Sequence, residues 1–281
     1  MLVRIKMKAT QWFAKTFPGL FATLMRKGFV NEPRWTHLTL RMDRDHSPYL
    51  EDTNRNREWW CDFVEANENP RVLEIGAGGM HDVKKLRLRG GLEKCDYHIL
   101  DVSKEVLKEG PRIIPEVTFK EGSINKIPFP DNHFDIVYCR AVIEHQPDYQ
   151  KPMSEMLRVS RGVVVIGFFR WTLADEWINR VKKFSNSYNI HELLGWCKEH
   201  SARDDYFIML QEDEPSVNVY DDVNLVRTND YLFTVLYKNE PVAAEPLQKS
   251  LEKYRKWVID RPYDVDPPLF QAKPKLPAAA E

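Results

Sequence analysis

Three stretches of the chain carry residue types at spacings that can do chemistry. The first is Val72-Leu73-Glu74-Ile75-Gly76-Ala77-Gly78-Gly79, an apolar run followed at once by a glycine-rich turn. Glycine lets the backbone approach a ligand closely, and a helix that starts after the turn offers unpaired N–H groups. A dinucleotide fingerprint would carry a third glycine at position 81, where the chain has His81, so the turn argues against NAD or FAD. The second is Asp101, at the end of the next apolar run. A carboxylate there can accept both hydroxyls of a ribose resting over the glycine turn, or it can cap the following helix, a duty that Ser103 could also take. We favour the ribose role. The third is Glu121-Gly122-Ser123-Ile124, followed by Ile127-Pro128-Phe129-Pro130-Asp131.

The elements that must position these groups follow an αβ rhythm. An amphipathic helix over about 51–66 carries Trp59, Phe63 and Ala66 near one face, with Trp60 beside them, and Asn69-Pro70 ends it. Strands are expected at 72–75, 97–100, 117–119 and 134–139, with helices at about 80–88, after Ser103 and at 149–158. Gly162-Val163-Val164-Val165-Ile166-Gly167 is the most apolar strand of the chain. Continuous rather than alternating apolarity is what a parallel sheet requires when helices cover both its faces. Beyond it, a helix at 190–200 and strands near 206–210 and 231–237 suggest an antiparallel edge. Residues 241–281 hold seven prolines and read as an extended tail with one helical segment at 251–259, ordered where Tyr254, Trp257 and Val258 find a surface.

Composition narrows the class. The 281 residues are 43% hydrophobic and 30% charged, a globular balance. With 41 Lys and Arg against 42 Asp and Glu, the net charge of -1 gives no chain-wide field for nucleic acid. Four scattered cysteines form neither a disulfide framework nor a zinc pattern, and no metal site is expected. No apolar run is long enough to cross a bilayer and there is no clean signal peptide, which leads to the expectation of a cytoplasmic protein. Residues 1–44 are locally basic, with nine Lys and Arg against two acids, and carry apolar residues at helical spacing from Trp12 to Met25. Such a segment can roof a cleft as a lid, and it can also lie on an anionic membrane surface.

Together these motifs resemble the class I S-adenosylmethionine-dependent methyltransferases, particularly the group with small-molecule and quinone-type members. The likeness is close over 55–170 and weak to 240. It implies an α/β, Rossmann-like fold with a mostly parallel seven-stranded sheet, an antiparallel edge strand and helices on both faces. It divides the chain into a basic N-terminal extension at 1–50, the methyltransferase domain at 51–240 and the Pro/Ala-rich tail at 241–281. The family's E-x-G-x-G turn implies that Glu74, Gly76, Ala77 and Gly78 serve the methionine and ribose side of the cofactor. Asp101 matches the ribose-binding acid, and Val102 lies beside the adenine. Ser123 stands where the family often has an Asp for the adenine amino group, and Ile124 is expected to pack on the base. In Arg140-Ala141-Val142-Ile143-Glu144-His145, which resembles the family's x-x-V-L-E-H, Arg140 is expected near the amino-acid end of the cofactor. His145 is expected to face the acceptor, as a base or as a structural loop residue. Phe168-Phe169-Arg170-Trp171 occupies a substrate-facing position, where Arg170 could pair with an acceptor anion or simply face water.

The expected activity is methyl transfer from S-adenosylmethionine to a small or medium-sized acceptor through an O, N or C atom. Methyl transfer from a sulfonium asks the protein chiefly to align the reactants and to exclude water. A macromolecular acceptor and a non-catalytic binding protein of the same fold stay open as alternatives. The sequence leaves the oligomeric state undetermined.

Overall fold

The computed structural model describes residues 55–146, 148–172, 186, 188–210, 218–220, 225–238 and 244–260. The expectations for the 1–50 extension, for the Arg170 side chain and for residues 261–281 lie outside the described residues. Five parallel strands form first: β1 (Arg71–Ile75), β2 (Asp96–Asp101), β3 (Thr118–Glu121), β4 (Phe134–Arg140) and β5 (Ser160–Thr172). They lie in the order β3-β2-β1-β4-β5. The winding reverses at β1, flanked by β2 and β4, so the crevice above the carboxyl ends of β1 and β4 is the switch point where open α/β sheets bind ligands.

The sheet continues past β5. After β6 (Tyr188–Asn189) come β7 (Arg203–Met209), β8 (Asn218–Tyr220), β9 (Leu225–Tyr237) and β10 (Val258–Asp260). β9 inserts antiparallel between β5 and β7, completing a seven-stranded core, and β10 pairs antiparallel with β7 to form the edge. Helices α1 (Arg55–Glu65) and α2 (His81–Leu88) pack on one face of this sheet. Helices α4 (Gln150–Val159) and α5 (Ile190–His200) pack on the other. α3 (Lys104–Ile113) joins β2 to β3, and α6 (Ala244–Glu252) lies against α1. Among the described residues no helix is long and apolar enough to cross a membrane.

Both faces of the strands are buried, which explains their unbroken apolar runs. Val72, Ile99, Tyr138, Val163 and Val165 point into the α1/α2 core, while Leu73, Leu100, Val137, Val164 and Ile166 point into the other. Trp60 stacks on Tyr138 with ring centroids 3.8 Å apart, and Trp59 meets Phe207 and Phe233 at 5.0 and 4.8 Å. Arg55 Nη1 donates to the Leu210 carbonyl (3.1 Å), just past the carboxyl end of β7. Asp62 and Glu65 instead hold Arg89, at the far end of α2. α1 therefore runs against the strands, with its N-terminus over their carboxyl edge.

Three expectations shift. The Phe168–Trp171 stretch, read as following the fifth strand, is its continuation: β5 runs to Thr172 because β9 supplies a partner, with an irregular register between Phe168 and Arg170. The helical segment expected at 251–259 is broken: its start belongs to α6, which begins earlier, Arg255–Trp257 form a short 3-10 helix, and Val258 and Ile259 are strand. The tail expected from residue 241 thus contributes α6 and β10 to the domain. Its anchor is Tyr254, buried and donating its hydroxyl to Asp62 Oδ2 (2.8 Å).

Candidate active site

The turn after β1 is built from left-handed backbone: φ is +69° at Gly76, +51° at Gly78 and +57° at Met80, the residue before α2. Gly76 donates its N–H to Leu100 at 2.8 Å. A Cβ on Gly76 would stand 2.6 Å from Val142 Cγ2, so this glycine admits the loop after β4 as well as satisfying its own φ. Ala77 accepts the Met80 N–H at 2.8 Å, which closes the turn.

Asp101 is 7% exposed at the end of β2. Its Oδ1 accepts the Ser103 N–H (2.8 Å) and its Oδ2 the Gly78 N–H (3.4 Å), tying the strand end to the glycine turn. Burial raises its pKa, and the N–H groups of Ser103, Gly78 and Val102 oppose that rise. A carboxylate has about four acceptor positions, so these bonds leave the group able to accept from a further donor such as a ribose hydroxyl. Ser103 is the N-cap of α3 and accepts the Val106 N–H at 3.4 Å, which relieves Asp101 of capping. Beside it Val102 is 55% exposed, an apolar flank suited to a flat base. Ile124, expected on the base, is 4% exposed and belongs to the same core cluster as Leu100 and Phe134. Ser123 Oγ accepts the Asn125 N–H (3.2 Å), and Asn125 Nδ2 donates to Gln146 Oε1 (2.8 Å), joining this loop to the one after β4.

At the end of β4 lies a charge cluster centred on Asp82. Arg140, expected to serve the cofactor, gives Nε and Nη2 to Asp82 at 2.9 and 2.7 Å, and its guanidinium lies 5.2 Å from the Tyr231 ring. Arg57 approaches the same carboxylate at 3.1 Å, and the Tyr138 hydroxyl donates to it at 3.3 Å. Burial alone would raise the Asp82 pKa, yet the guanidinium groups of Arg140 and Arg57 outweigh it and hold the group ionised. Glu74 is 3% exposed and accepts the Tyr97 hydroxyl at 2.9 Å, so it underlies the turn rather than facing the crevice. Burial first, then Asp82, pushes its carboxyl up to about 8. His81, half-buried, is lowered to about 4 by burial and Arg57, which keeps its ring neutral near pH 7.

After β4, His145 ends the short helix Ile143–His145, half-buried, with its ring 6.1 Å from that of Phe169. Buried Glu144 accepts the Phe169 N–H through Oε1 (2.7 Å), and the Glu144 carbonyl accepts the Asn186 N–H (2.7 Å). Asn186 also donates to the Gln146 carbonyl, as does Tyr188 at 2.7 Å. The stretch before α5 thus braces the loop after β4, while Asn189 caps α5 through the N–H groups of His191 and Glu192. A cavity of about 910 Å³ between α5, β7 and α6 is lined by His191 but by neither the glycine turn, Asp101, Arg140 nor His145.

The structure brings the glycine turn, Asp101, Val102, Ser123 and Arg140 to the carboxyl ends of β1, β2, β3 and β4. It adds two residues that the motifs passed over: Arg57 and Asp82. Asp82 follows His81 in the helix after the turn, and Arg57 lies in the helix before β1; a polar residue on an otherwise aromatic face was the available signal. The fit to S-adenosylmethionine rests on Asp101, still able to accept, the exposed Val102 and the crevice at the switch point.

Comparison with known proteins agrees with this geometry. A family model described as methyltransferase domain matches residues 73–166, from β1 into β5. Residues 73–166 are a methyltransferase domain. The chain is 26% identical over 137 residues to sterol 24-C-methyltransferase ERG6A of Gibberella zeae, covering 47% of this chain and 35% of that protein. It is 28% identical over 151 residues to the uncharacterized methyltransferase YcgJ of Bacillus subtilis, covering 50% and 58%. It is 33% identical over 119 residues to demethylmenaquinone methyltransferase of Renibacterium salmoninarum, covering 42% and 48%. The chain therefore spans less than two thirds of the length of each of these relatives, and the likeness is to their methyltransferase domains.

Proposed function

We propose that this protein transfers a methyl group from S-adenosylmethionine to a small or medium-sized acceptor and releases S-adenosylhomocysteine. The observation that carries this reading is Asp101, its carboxylate tied to the left-handed glycine turn and still able to accept, at the sheet's switch point. The cofactor supplies an electrophilic methyl carbon on sulfonium sulfur. The chain's own residues bind and orient it. Asp101 holds the ribose hydroxyls, Val102 and Ser123 flank the adenine, and the turn from Gly76 to Gly78 carries the backbone close to the sugar and amino-acid link. Arg140 acts through Asp82, fixing α2 against the end of β4. His145, beside Phe169, faces the acceptor and takes its proton where the acceptor is a hydroxyl or an amine. Arg170 stands further along β5 as the partner for an anionic acceptor group. That two relatives are named for the methylation of a sterol and of demethylmenaquinone supports a small-molecule acceptor.

Calorimetric titration of S-adenosylhomocysteine into the wild-type chain and Asp101→Ala tests the reading. The wild type binds it, and the variant, folded by its circular dichroism, binds more weakly by about 1.5–3 kcal/mol, the usual worth of a charge-assisted hydrogen bond. No binding by the wild type, or an unchanged constant in the variant, would remove Asp101 from the ribose site.

A further inference from the structure

Two loops at the carboxyl edge of the sheet meet where strand spacing alone would keep them apart. β3 and β4 have β2 and β1 between them. Neighbouring strands lie about 4.8 Å apart, so three intervals separate β3 from β4 by roughly 14 Å. Yet Asn125, in the loop after β3, gives its Nδ2 to Oε1 of Gln146, in the loop after β4, at 2.8 Å. The bond therefore bridges the interval taken up by the ends of β2 and β1, the strands that carry Asp101 and the glycine turn. Ile124 and Ile143 belong to one core with Leu100, so the bridge stands on the α4/α5 side of the sheet.

Each half of the bridge is held from behind. Gly122 donates its N–H to the Asp101 carbonyl at 3.1 Å, so the loop after β3 starts on Asp101 itself. Ser123 then turns the chain, its Oγ accepting the Asn125 N–H at 3.2 Å and its carbonyl the Lys126 N–H at 3.0 Å. On the other side the Gln146 carbonyl accepts from the Tyr188 hydroxyl at 2.7 Å and from Asn186. The loop after β4 also touches the glycine turn, since a Cβ on Gly76 would stand 2.6 Å from Val142 Cγ2. With Asp101 Oδ2 accepting the Gly78 N–H at 3.4 Å, the contacts form a closed circuit. It runs from the glycine turn to Asp101, along the loop after β3, across Asn125 and Gln146, and back through Val142. One bond between two half-buried side-chain amides completes it.

We propose that Asn125 and Gln146 are positioning residues for the cofactor: their bond holds the loop that carries Ser123 against the ends of β2 and β1, and so fixes the wall beside the adenosine part. This rests on the proposed use of S-adenosylmethionine, with its ribose on Asp101. The two amides act through Ser123 and the Asp101 strand end, and neither has to touch the ligand. A wall held in place before binding spares the ligand the cost of ordering a loop. With the bond broken, that cost falls on binding, and the adenosine part is held less tightly.

The test titrates S-adenosylhomocysteine and 5′-methylthioadenosine, which keeps the adenosine and sulfur and lacks the amino acid. The proteins are the wild type, Asn125→Ala, Gln146→Ala, the double variant and Gln146→Glu. Each alanine variant should raise the Kd of both ligands roughly 2- to 10-fold, the range of one neutral hydrogen bond. The double variant should bind no more weakly than the weaker single one, because both changes break the same bond. Gln146→Glu keeps an acceptor for Asn125 and should bind within about twofold of the wild type. An unchanged Kd in either alanine variant, additive losses, a loss confined to S-adenosylhomocysteine, or Gln146→Glu as weak as Gln146→Ala would each overturn the inference. So would failure of both alanine variants to fold, which would assign the bond to structure. A wild type that binds neither ligand is a different result: it sinks the underlying reading, and this one with it.

Discussion

Glu74 is a carboxyl group placed where ionisation is costly. It sits on the α1/α2 side of β1, bonded by the Tyr97 hydroxyl from β2, and faces Asp82 from α2, Arg140 from β4 and Asp101 from β2. Burial and the two neighbouring carboxylates raise its pKa to about 8, against the lowering by Tyr97 and Arg140. In the unfolded chain the group titrates at the ordinary value, 4.5. Between these values the folded chain holds a proton that the unfolded chain has released. Its contribution to stability is therefore fully present below pH 4.5 and is lost as the pH rises towards about 8. Glu74→Gln keeps an acceptor for Tyr97 and removes that dependence, so urea unfolding at pH 5 and pH 8 should show the variant gaining on the wild type at the higher pH. An equal difference at both would mean that Glu74 is ionised in the fold. The glutamate of E-x-G-x-G was legible as part of a site. That its carboxyl is buried and bonded beneath the turn depends on Tyr97, which no local pattern ties to it.

The end of β4 is fastened to two helices through one carboxylate. Asp82 from α2 accepts a two-pronged bond from Arg140 and meets Arg57 from α1; Asp82 and Arg57 are buried and the Arg140 side chain is 11% exposed. Breaking a buried pair by removing one partner leaves the other charge uncompensated, typically at a cost of about 3–5 kcal/mol. Asp82→Asn and Arg140→Gln should each destabilise on that scale. The double variant should lose clearly less than the sum, read from denaturant midpoints in a double-mutant cycle. Additivity would show that the pair contributes no coupling and that Arg140's role lies elsewhere. This joint was hidden because its members come from three separate elements. The buried strands were readable, since coverage on both faces leaves a run of Val, Ile and Leu. The end of β5 was not, because Arg170 interrupts its apolar run and its partner β9 starts more than fifty residues later. α6 was missed for a different reason: Pro246 stands in its first turn, where a helix tolerates proline, and the richness in proline suggested an extended chain.

Across the whole molecule, the proposed ligand would touch the turn after β1 and the ends of β2 and β4, and so add to the contacts that already tie them. These elements belong to both cores, with Leu100 in one and Tyr138 in the other. A ligand that binds only the folded chain stabilises it by RT ln(1 + [L]/Kd), about 2.7 kcal/mol at a hundred times Kd. For a domain of this size each kcal/mol moves the melting temperature by roughly 2–4 °C, so saturating S-adenosylhomocysteine should raise Tm by about 5–10 °C in one cooperative transition. NAD at the same concentration should leave Tm in place, since His81 stands where a dinucleotide turn would have its third glycine and its ring folds back over Gly79. A rise with NAD and none with S-adenosylhomocysteine would reverse the choice of cofactor. A shift confined to an early, partial transition would mean that the ligand steadies the glycine turn and its surroundings alone, and that the α4/α5 core unfolds independently of the crevice.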